Sequence, residues 1–347
     1  MKVDYFIVGL GLAGVAFCEQ LRKANKTFLV FDNASQQSSL VAAGMYNPVI
    51  LKRFTEVWMA DEQLDLAIPY YKELEQLLDV KLDYTLKLYR RFASIEEQNT
   101  WFTATDKPKL EPYMSTTLVP NTNSQIDAPF NLGEVYHAGR VDTVALISNY
   151  KAYLESQSQI LSEGFQYNGL QIESETLHYA NHEAKHIVFC EGFGLKQNPF
   201  FNHLPLDGNK GEVLTLKVPD LKIDYVVKSS VFIMPNTTDE YYVGATYNRF
   251  DKTNLPTEKG KDELISKLKT FLKAPFSEVN HKAGVRPTVK DRRPLVGTHT
   301  EYKNIHILNG LGSRGVMISP YASKQLFNYI ENKQPLNPEI AIERFKA

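Results

Sequence analysis

The chain of 347 residues contains only two cysteines, Cys18 and Cys190, and each stands in an apolar stretch that predicts a buried position. So few cysteines, placed so far apart, exclude a disulfide framework and a cysteine-rich metal site. We therefore expect a reducing compartment, and the cytoplasm fits this composition best.

The chain also lacks an excess of charge and a long hydrophobic run. Its 40 acidic and 39 basic residues give a formal net charge of −1, which gives no reason to expect nucleic acid or an anionic membrane as the main partner. No run reaches the roughly 18 apolar residues that would span a membrane. The apolar N-terminus holds three glycines, and we expect it to belong to the fold rather than to a signal peptide.

What the sequence does contain, almost at its start, is a glycine-rich turn with the pattern GxGxxG, formed by Gly9, Gly11 and Gly14. A short apolar run precedes it, helix-forming residues follow, and a second apolar run ends in Asp32. These pieces form a βαβ unit of about 30 residues. Such glycines allow backbone to approach a pyrophosphate, and a carboxylate at the end of the second strand can bind ribose hydroxyls. The unit predicts a site for NAD or FAD.

The rest of the chain predicts an α/β protein with a second, antiparallel part. Helices are expected over 61–78, 141–157 and 258–273 and up to about residue 332, with irregular chain over 103–133. From about residue 211 the segments EVLTLKV, VVKSSVFIMP and EYYVGATY alternate as half-exposed strands do. We predict a Rossmann-like, discontinuous dinucleotide-binding domain (1–80, 137–205 and 284–347) with an inserted antiparallel-sheet substrate domain (81–136 and 206–283).

Three further motifs follow the glycine-rich turn in a fixed order: AAGMYNP at 42–48, GVRPTVKDRRPLVG at 284–297 and GLGSRGVMISP at 310–320. Together they resemble the D-amino-acid-oxidase-like flavoprotein family. That family includes glycine and sarcosine oxidases and the flavin half of the bifunctional enzyme that makes 5-methylaminomethyl-2-thiouridine in tRNA. The resemblance implies FAD as the cofactor, amines or amino acids as substrates, and an FAD domain paired with a substrate domain.

The resemblance also implies cofactor-binding residues, with one departure from the family pattern. Glu191 stands where relatives usually have alanine. Some sarcosine-oxidising relatives attach flavin through a cysteine close after the position of Arg286, and this chain has Pro287, Thr288 and Val289 there, so non-covalent FAD is expected. The implied cofactor-binding residues are Gly9, Gly11, Gly14, Asp32, Ala42, Ala43, Gly44, Gly192, Gly310, Gly312, Ser313, Arg314 and Gly315.

Four residues are expected at the substrate. By resemblance, Arg286 holds the substrate carboxylate, and an arginine offers this group a planar fork. Arg314 and the helix N-terminus beside it would stabilise negative charge on reduced flavin. Phe232 and Tyr247 align roughly with substrate-facing positions. The alternatives are an ion pair for Arg286, a loop-fixing role for Arg314, and core packing for the two aromatic residues.

Three regularly spaced histidines raise the question of a metal site. His178, His182 and His186 lie four residues apart, but their stretch reads as a turn leading into a strand, so we expect exposed histidines and no metal.

These observations predict an FAD-dependent oxidoreductase that oxidises the C–N bond of a small amino acid or an N-substituted glycine. One alternative is a tRNA wobble uridine that carries a carboxymethylaminomethyl group, because GLGSRG is closer to the tRNA-modifying relatives. The other alternative is a flavin-binding partner subunit without catalysis.

Overall fold

The computed structural model of the protein describes residues 1–345, which form an α/β structure with two eight-stranded sheets. Two small sheets of short strands accompany them. The strands of the described chain are β1 (Lys2–Val8), β2 (Phe28–Phe31), β3 (Met45–Tyr46), β4 (Val49–Ile50), β5 (Thr55–Glu56), β6 (Asp83–Thr85), β7 (Leu88–Arg91), β8 (Met114–Val119), β9 (Leu132–Val135), β10 (Gly139–Val141), β11 (Ile160–Leu161), β12 (Leu170–Ile172), β13 (Leu177–Tyr179), β14 (His182–Phe189), β15 (Leu206–Lys217), β16 (Val226–Lys228), β17 (Phe232–Pro235), β18 (Glu240–Gly244), β19 (Ser277–Val289), β20 (Leu295–Thr298) and β21 (Ile305–Asn309).

The α-helices of residues 1–345 lie between these strands or follow them. Their bounds are α1 (Leu12–Lys23), α2 (Ser38–Val41), α3 (Ala60–Leu78), α4 (Ile95–Thr105), α5 (Thr143–Ser156), α6 (Glu258–Leu268) and α7 (Gly315–Glu331). None of these helices combines the length and the apolar character that crossing a membrane requires.

The first large sheet has a parallel centre. β1 pairs in parallel with β2 and with β14, β11 lies beside β2, and β21 lies beside β14. Along β1, Tyr5 and Ile7 pack into one apolar cluster with α1, α3, α5 and α7, whereas Phe6 and Val8 pack into another on the opposite face. Burial on both faces explains the continuous apolar runs in the sequence. The parallel pairing brings the carboxyl ends of β1, β2, β14 and β21 to one edge.

The second large sheet is mostly antiparallel, in the order β19-β15-β18-β17-β16-β7-β9-β8. Its side chains alternate between two different environments. On β15, Lys210 and Glu212 are buried against the α6 side, where Lys210 pairs with Asp251 at 2.5 Å. The neighbouring residues of β15, Asn209 and Gly211, line a cavity on the other face.

The local pattern predicted most helices closely, and two segments differ from the prediction. The stretch VVKSSVFIMP is not one strand but the hairpin β16–β17, since Ser229, Ser230 and Val231 form its turn. The segment 103–133, expected to be irregular, contains the end of α4, strand β8 and the start of β9. The edge strand β8 has little alternation of apolar residues, because it contains Ser115, Thr116 and Thr117.

The expectation that the three histidines are exposed is wrong, because all three are half-buried. His186 is the clearest case. Its ring stacks on Tyr5, with the ring centroids 5.0 Å apart, and its Nδ1 lies 3.1 Å from Nε2 of the buried His306. Burial lowers the pKa of His186 to about 4. No three histidine, cysteine, aspartate or glutamate side chains of residues 1–345 form a group suited to a metal ion.

The division into two domains remains a proposal. Its boundary at residue 284 falls inside β19, and residues 284–289 of that strand pair with β15 in the second sheet. By strand pairing, these six residues belong to the antiparallel sheet.

The N-terminus of α5 tests the local rules behind this fold. Asp142 caps the helix, since its Oδ1 accepts a hydrogen bond of 3.0 Å from the N–H of Ala145. The variant Asp142→Ala should be less stable than Asp142→Ser by about 1 kcal/mol, the usual value of an N-cap, as measured by urea unfolding. Asp142→Ser retains a capping oxygen and serves as the control, because both variants lose the ion pair of Asp142 with Arg140. Equal stability of the Ala and Ser variants would contradict the capping role.

Candidate active site

A cavity of about 1870 Å3 lies between the carboxyl edge of the first sheet and one face of the second sheet. Sites for drug-sized ligands occupy roughly 300–1,000 Å3, so this cavity has room for a dinucleotide and a smaller molecule together. Of the residues that the sequence predicted for the site, all except Gly14 line it.

The glycine-rich turn forms one end of the cavity. Gly9 has φ +96°, and a Cβ there would lie 2.7 Å from the carbonyl oxygen of Cys190, so the turn requires glycine. Gly14 lies behind the lining, where a Cβ would come within 2.1 Å of the Gly9 carbonyl oxygen. Gly14 therefore allows α1 to pack closely against the end of β1, as the third glycine of this motif does.

The carboxylate of Asp32 lies at the same end of the cavity, as predicted. Its Oδ1 accepts a hydrogen bond of 3.0 Å from the N–H of Leu10, and its Oδ2 accepts one of 3.1 Å from Ala34. These bonds tie the end of β2 to the glycine-rich turn. A carboxylate has further acceptor positions, which remain available for hydroxyl groups.

The departure at Glu191 has a structural explanation. Its carboxylate accepts hydrogen bonds from Tyr167, at 2.5 Å, and from Asn198, at 2.7 Å. Burial raises the pKa of Glu191 above its ordinary value. Gly192, which follows it, lines the cavity, and its carbonyl accepts a bond of 2.9 Å from Asn309. Here the glutamate is part of a local polar cluster, which an alanine could not form.

The segment 42–44 crosses the cavity wall close to β10. The hydroxyl of Thr143 donates to the carbonyl of Ala42, and the N–H of Val141 donates to Gly44. A Cβ at Gly44 would lie 1.8 Å from the Val141 carbonyl oxygen. Ala42, Ala43 and Gly44 thus keep this wall thin.

The loop 310–315 leads into α7, whose N-terminus opens on the cavity. The N–H of Gly312 donates to the carbonyl of Pro287, at 2.9 Å, which joins this loop to β19. Arg314 donates to the carbonyl of Asn47, at 3.1 Å. Arg314 is half-buried, and the partial loss of water around its guanidinium lowers its pKa to about 10, so it remains a cation at neutral pH. Arg314 therefore fixes its own loop and also contributes positive charge to the cavity.

Arg286 lies on the cavity face of β19. Its Nη1 donates to the carbonyl of Thr246, at 3.2 Å, and its guanidinium lies 4.7 Å from the ring centroid of Tyr247. No carboxylate within residues 1–345 forms an ion pair with Arg286. Partial burial lowers the pKa of its guanidinium. The structure therefore contradicts the ion-pair alternative. Tyr247 is 67% exposed, and so it is not a core residue.

Two residues of the site were missed by the sequence analysis. A Cβ at Gly211 would lie 1.9 Å from Nη2 of Arg286, so the missing side chain leaves the space that the guanidinium fills. Asn209 pairs with Arg286 across the strands, and its buried Oδ1 accepts no hydrogen bond from any residue that the structure describes. A glycine inside a strand signals a close approach, and this signal could have identified Gly211.

Residues 4–328 match the family described as FAD dependent oxidoreductase, and the chain belongs to that family. It is 23% identical over 374 residues to the glycine oxidase of Bacillus subtilis (strain 168), covering 96% of this chain and 95% of the relative. The crystal structure of glycine oxidase from Geobacillus kaustophilus superimposes with a TM-score of 0.81 at 18% identity, covering both chains fully. The tRNA 5-methylaminomethyl-2-thiouridine biosynthesis bifunctional protein MnmC of Idiomarina loihiensis is 26% identical over 157 residues, covering 42% of this chain and 26% of the relative.

FAD is the cofactor of this family, and the cavity fits it. The N–H groups of Gly11 and Ala13, which both line the cavity, make no hydrogen bond within residues 1–345 and are available to a pyrophosphate. Gly9 and Gly44 line the cavity, and a Cβ at either would collide with the backbone of the neighbouring segment, so the chain can pass this closely only with glycine. The shape of the cavity is therefore consistent with the FAD that this family binds.

The close contact at Gly14 gives a test of the cofactor end. In Gly14→Ala, the new Cβ must push the Gly9 carbonyl aside, and overpacking of this kind costs about 1–3 kcal/mol. We expect FAD affinity to fall about tenfold or more, measured as flavin retained per protein after gel filtration. Gly194→Ala is the control, because Gly194 lines the same cavity and its Cβ would make only ordinary contacts of 3.5 Å or more. Full flavin retention by Gly14→Ala would contradict the assignment.

Proposed function

We propose that the protein oxidises the C–N bond of a small amino acid or an N-substituted glycine. The observation that carries the proposal is Arg286, a half-buried cation on the cavity wall with no carboxylate partner in residues 1–345. A charge withdrawn from water without a counter-ion is costly, and a substrate carboxylate would supply the missing charge. The names of the glycine oxidase relatives point to the same class of substrate.

The neighbouring residues support a definite orientation of such a substrate. With its carboxylate on Arg286, the amine N–H groups would donate to Oδ1 of Asn209, the residue opposite on β15. Phe232 lines the cavity two strands beyond and would exclude water from the bound molecule. When bound, FAD supplies the oxidant that removes a hydride equivalent from the carbon next to the amine.

The proposal also assigns the residues that would bind FAD. We propose that Gly9, Gly11, Asp32 and the first turn of α1 hold the adenosine and pyrophosphate of FAD. The segment 42–44, Gly192 and the loop 310–315 would hold the flavin. Pro287, Thr288 and Val289, which follow Arg286 on the cavity wall, include no cysteine thiol to which a flavin could be attached, so the proposal includes non-covalent FAD.

An anaerobic absorbance spectrum of the purified protein tests the proposed function directly. Addition of glycine, sarcosine, proline or a D-amino acid should bleach the flavin absorbance with at least one of them. A flavin spectrum that none of these compounds changes would contradict oxidation of small amino acids. That outcome would favour the second candidate below or a flavin-binding subunit without catalysis.

A second candidate function is oxidation of a carboxymethylaminomethyl group on a tRNA wobble uridine, which is also an N-substituted glycine. The charge of the cavity favours it, because the lining contains eleven lysines and arginines but only four acidic residues, Asp32, Glu163, Glu191 and Asp207. Mass spectrometry of tRNA nucleosides from a deletion strain tests it. No accumulation of the carboxymethylaminomethyl form in that strain would exclude the candidate.

The contact between Gly211 and Arg286 allows a test that leaves the arginine in place. In Gly211→Ala, the Cβ would displace the flexible end of Arg286 at little cost in stability. Loss of a charge-assisted hydrogen bond costs about 1.5–3 kcal/mol, so KM for the amino-acid substrate should rise about tenfold or more. Flavin content should stay unchanged.

The comparison for this test is Arg286→Lys, which keeps the charge but loses the planar fork. It should raise KM in the same direction, whereas Gly194→Ala should leave KM unchanged. If both Gly211→Ala and Arg286→Lys kept the original KM, the carboxylate would have to bind elsewhere.

A further inference from the structure

Lys228 is a cation on the cavity wall. It lies on the same face of the second sheet as Arg286, four strands away from it. It ends β16, and it pairs across the sheet with Phe232 on β17 and with Arg90 on β7. All three side chains line the cavity. Opposite residues of neighbouring strands point to the same face, so Lys228 and Arg90 extend the wall that Phe232 begins.

The charges around Lys228 do not balance on the cavity side. Arg90 from β7 is paired with Glu97 of α4. Lys267 from α6 is paired with Glu263, at 2.5 Å. Lys228 itself makes no hydrogen bond or ion pair through its ammonium group to any residue in 1–345, and neither Glu97 nor Glu263 lines the cavity. These five groups therefore leave one uncompensated positive charge, and it belongs to Lys228.

The titration of Lys228 is consistent with this position. Burial, and then the nearby cations Arg90 and Lys267, lower the pKa of its ammonium group to about 8. An anion bound there would restore the charged form, because an opposite charge close by favours it. The group is thus a cation at neutral pH that lacks a counter-ion.

We propose that Lys228 binds a second anionic group of the substrate, a carboxylate or a phosphate at the end remote from the α-carboxylate. The inference rests on the proposed function, because it takes Arg286 as the site of the α-carboxylate. Four strand spacings separate β16 from β19, about 19 Å along the sheet. Glycine or sarcosine cannot reach both cations. The substrate would therefore carry its second anion on a long side chain or N-substituent that passes over Phe232.

Binding of unreactive thioether analogues tests the inference without turnover. In these compounds sulfur replaces the amine, one end is a carboxymethyl group, and the other end is a carboxylate, a phosphonate or a neutral carboxamide, in a series of increasing chain length. Isothermal titration calorimetry with the FAD-loaded protein gives each Kd. We expect the ligands with a remote anion to bind about tenfold or more tightly than the carboxamides of equal length, and the two acids show which anion is preferred.

Variants of the lysines show whether Lys228 is responsible. Lys228→Met keeps the apolar stem and should abolish the advantage of the remote anion, while Lys228→Arg should retain it. Lys267→Met is the matched control, because it removes a cation of the same cavity that is already paired with Glu263. This control should preserve most of the advantage.

The pH dependence separates binding by Lys228 from a structural role. As pH rises through about 8, Lys228 loses its proton, so the advantage of the remote anion should shrink. In Lys228→Arg it should persist, because arginine stays charged. Binding of the carboxamide ligands, which have neither an amine nor a remote charge, should change far less over the same range.

Three outcomes separate the inference from the proposed function. Equal Kd values for the remote acids and the carboxamides, or an advantage that survives in Lys228→Met, would overturn the inference alone. A remote-anion advantage in a protein whose flavin no amine reduces would support the inference and overturn the proposed function. If none of the analogues bound at any length, the inference would be overturned, while reduction of the flavin by an amine would still decide the proposed function.

Discussion

The parallel pairing of β1 with β14 is the contact on which the site depends. It joins segments about 180 residues apart in the chain, and its last pair is Val8 with Phe189. One residue further on, the N–H of Cys190 donates to Val8 at 2.7 Å, and the N–H of Gly9 donates to Phe31 at 2.8 Å. Three strands thus end together around one turn. The turn can be this tight because Gly9 places no Cβ against the Cys190 carbonyl.

The second sheet distributes charge unequally between its two faces. On the face toward α6, Lys210 pairs with Asp251, and Glu212 accepts hydrogen bonds from Thr257. On the cavity face, Arg286 and Lys228 have no acidic partner within residues 1–345. Burying an uncompensated charge costs free energy. On the packed face of the same sheet, Lys210 and Glu212 do have polar or charged partners. The missing counter-ions on the cavity face are therefore a property of the site and point to anionic ligands.

The sequence predicted those turns and helices that are determined by residues close together in the chain. The turn at Gly9 and the helices predicted over 61–78 and 141–157 each depend on neighbouring residues, and their observed bounds lie within a few residues of the prediction. The family motifs then gave the cavity lining from Asp32 to Gly315. Asn209 and Lys228 were missed because their roles depend on strand register: Asn209 meets Arg286 across 77 positions of sequence only through the pairing of β15 with β19. Nothing local in the sequence fixes that register.

The charge of the cavity also shows why total charge was a poor guide to the ligand. A net charge of −1 for the whole chain gave no reason to expect nucleic acid or an anionic membrane as the main partner, yet the cavity is lined by eleven basic and four acidic residues. Its lining therefore carries a formal charge of 11 − 4 = +7, and the remainder of the chain carries the compensating negative charge. Low-dielectric walls focus such a field into the cleft, where it raises the local concentration of anions. Part of this charge faces the pyrophosphate end, but Arg286 and Lys228 lie on the second sheet, away from the glycine-rich turn. The electrostatics of the site therefore favour a substrate that is itself an anion.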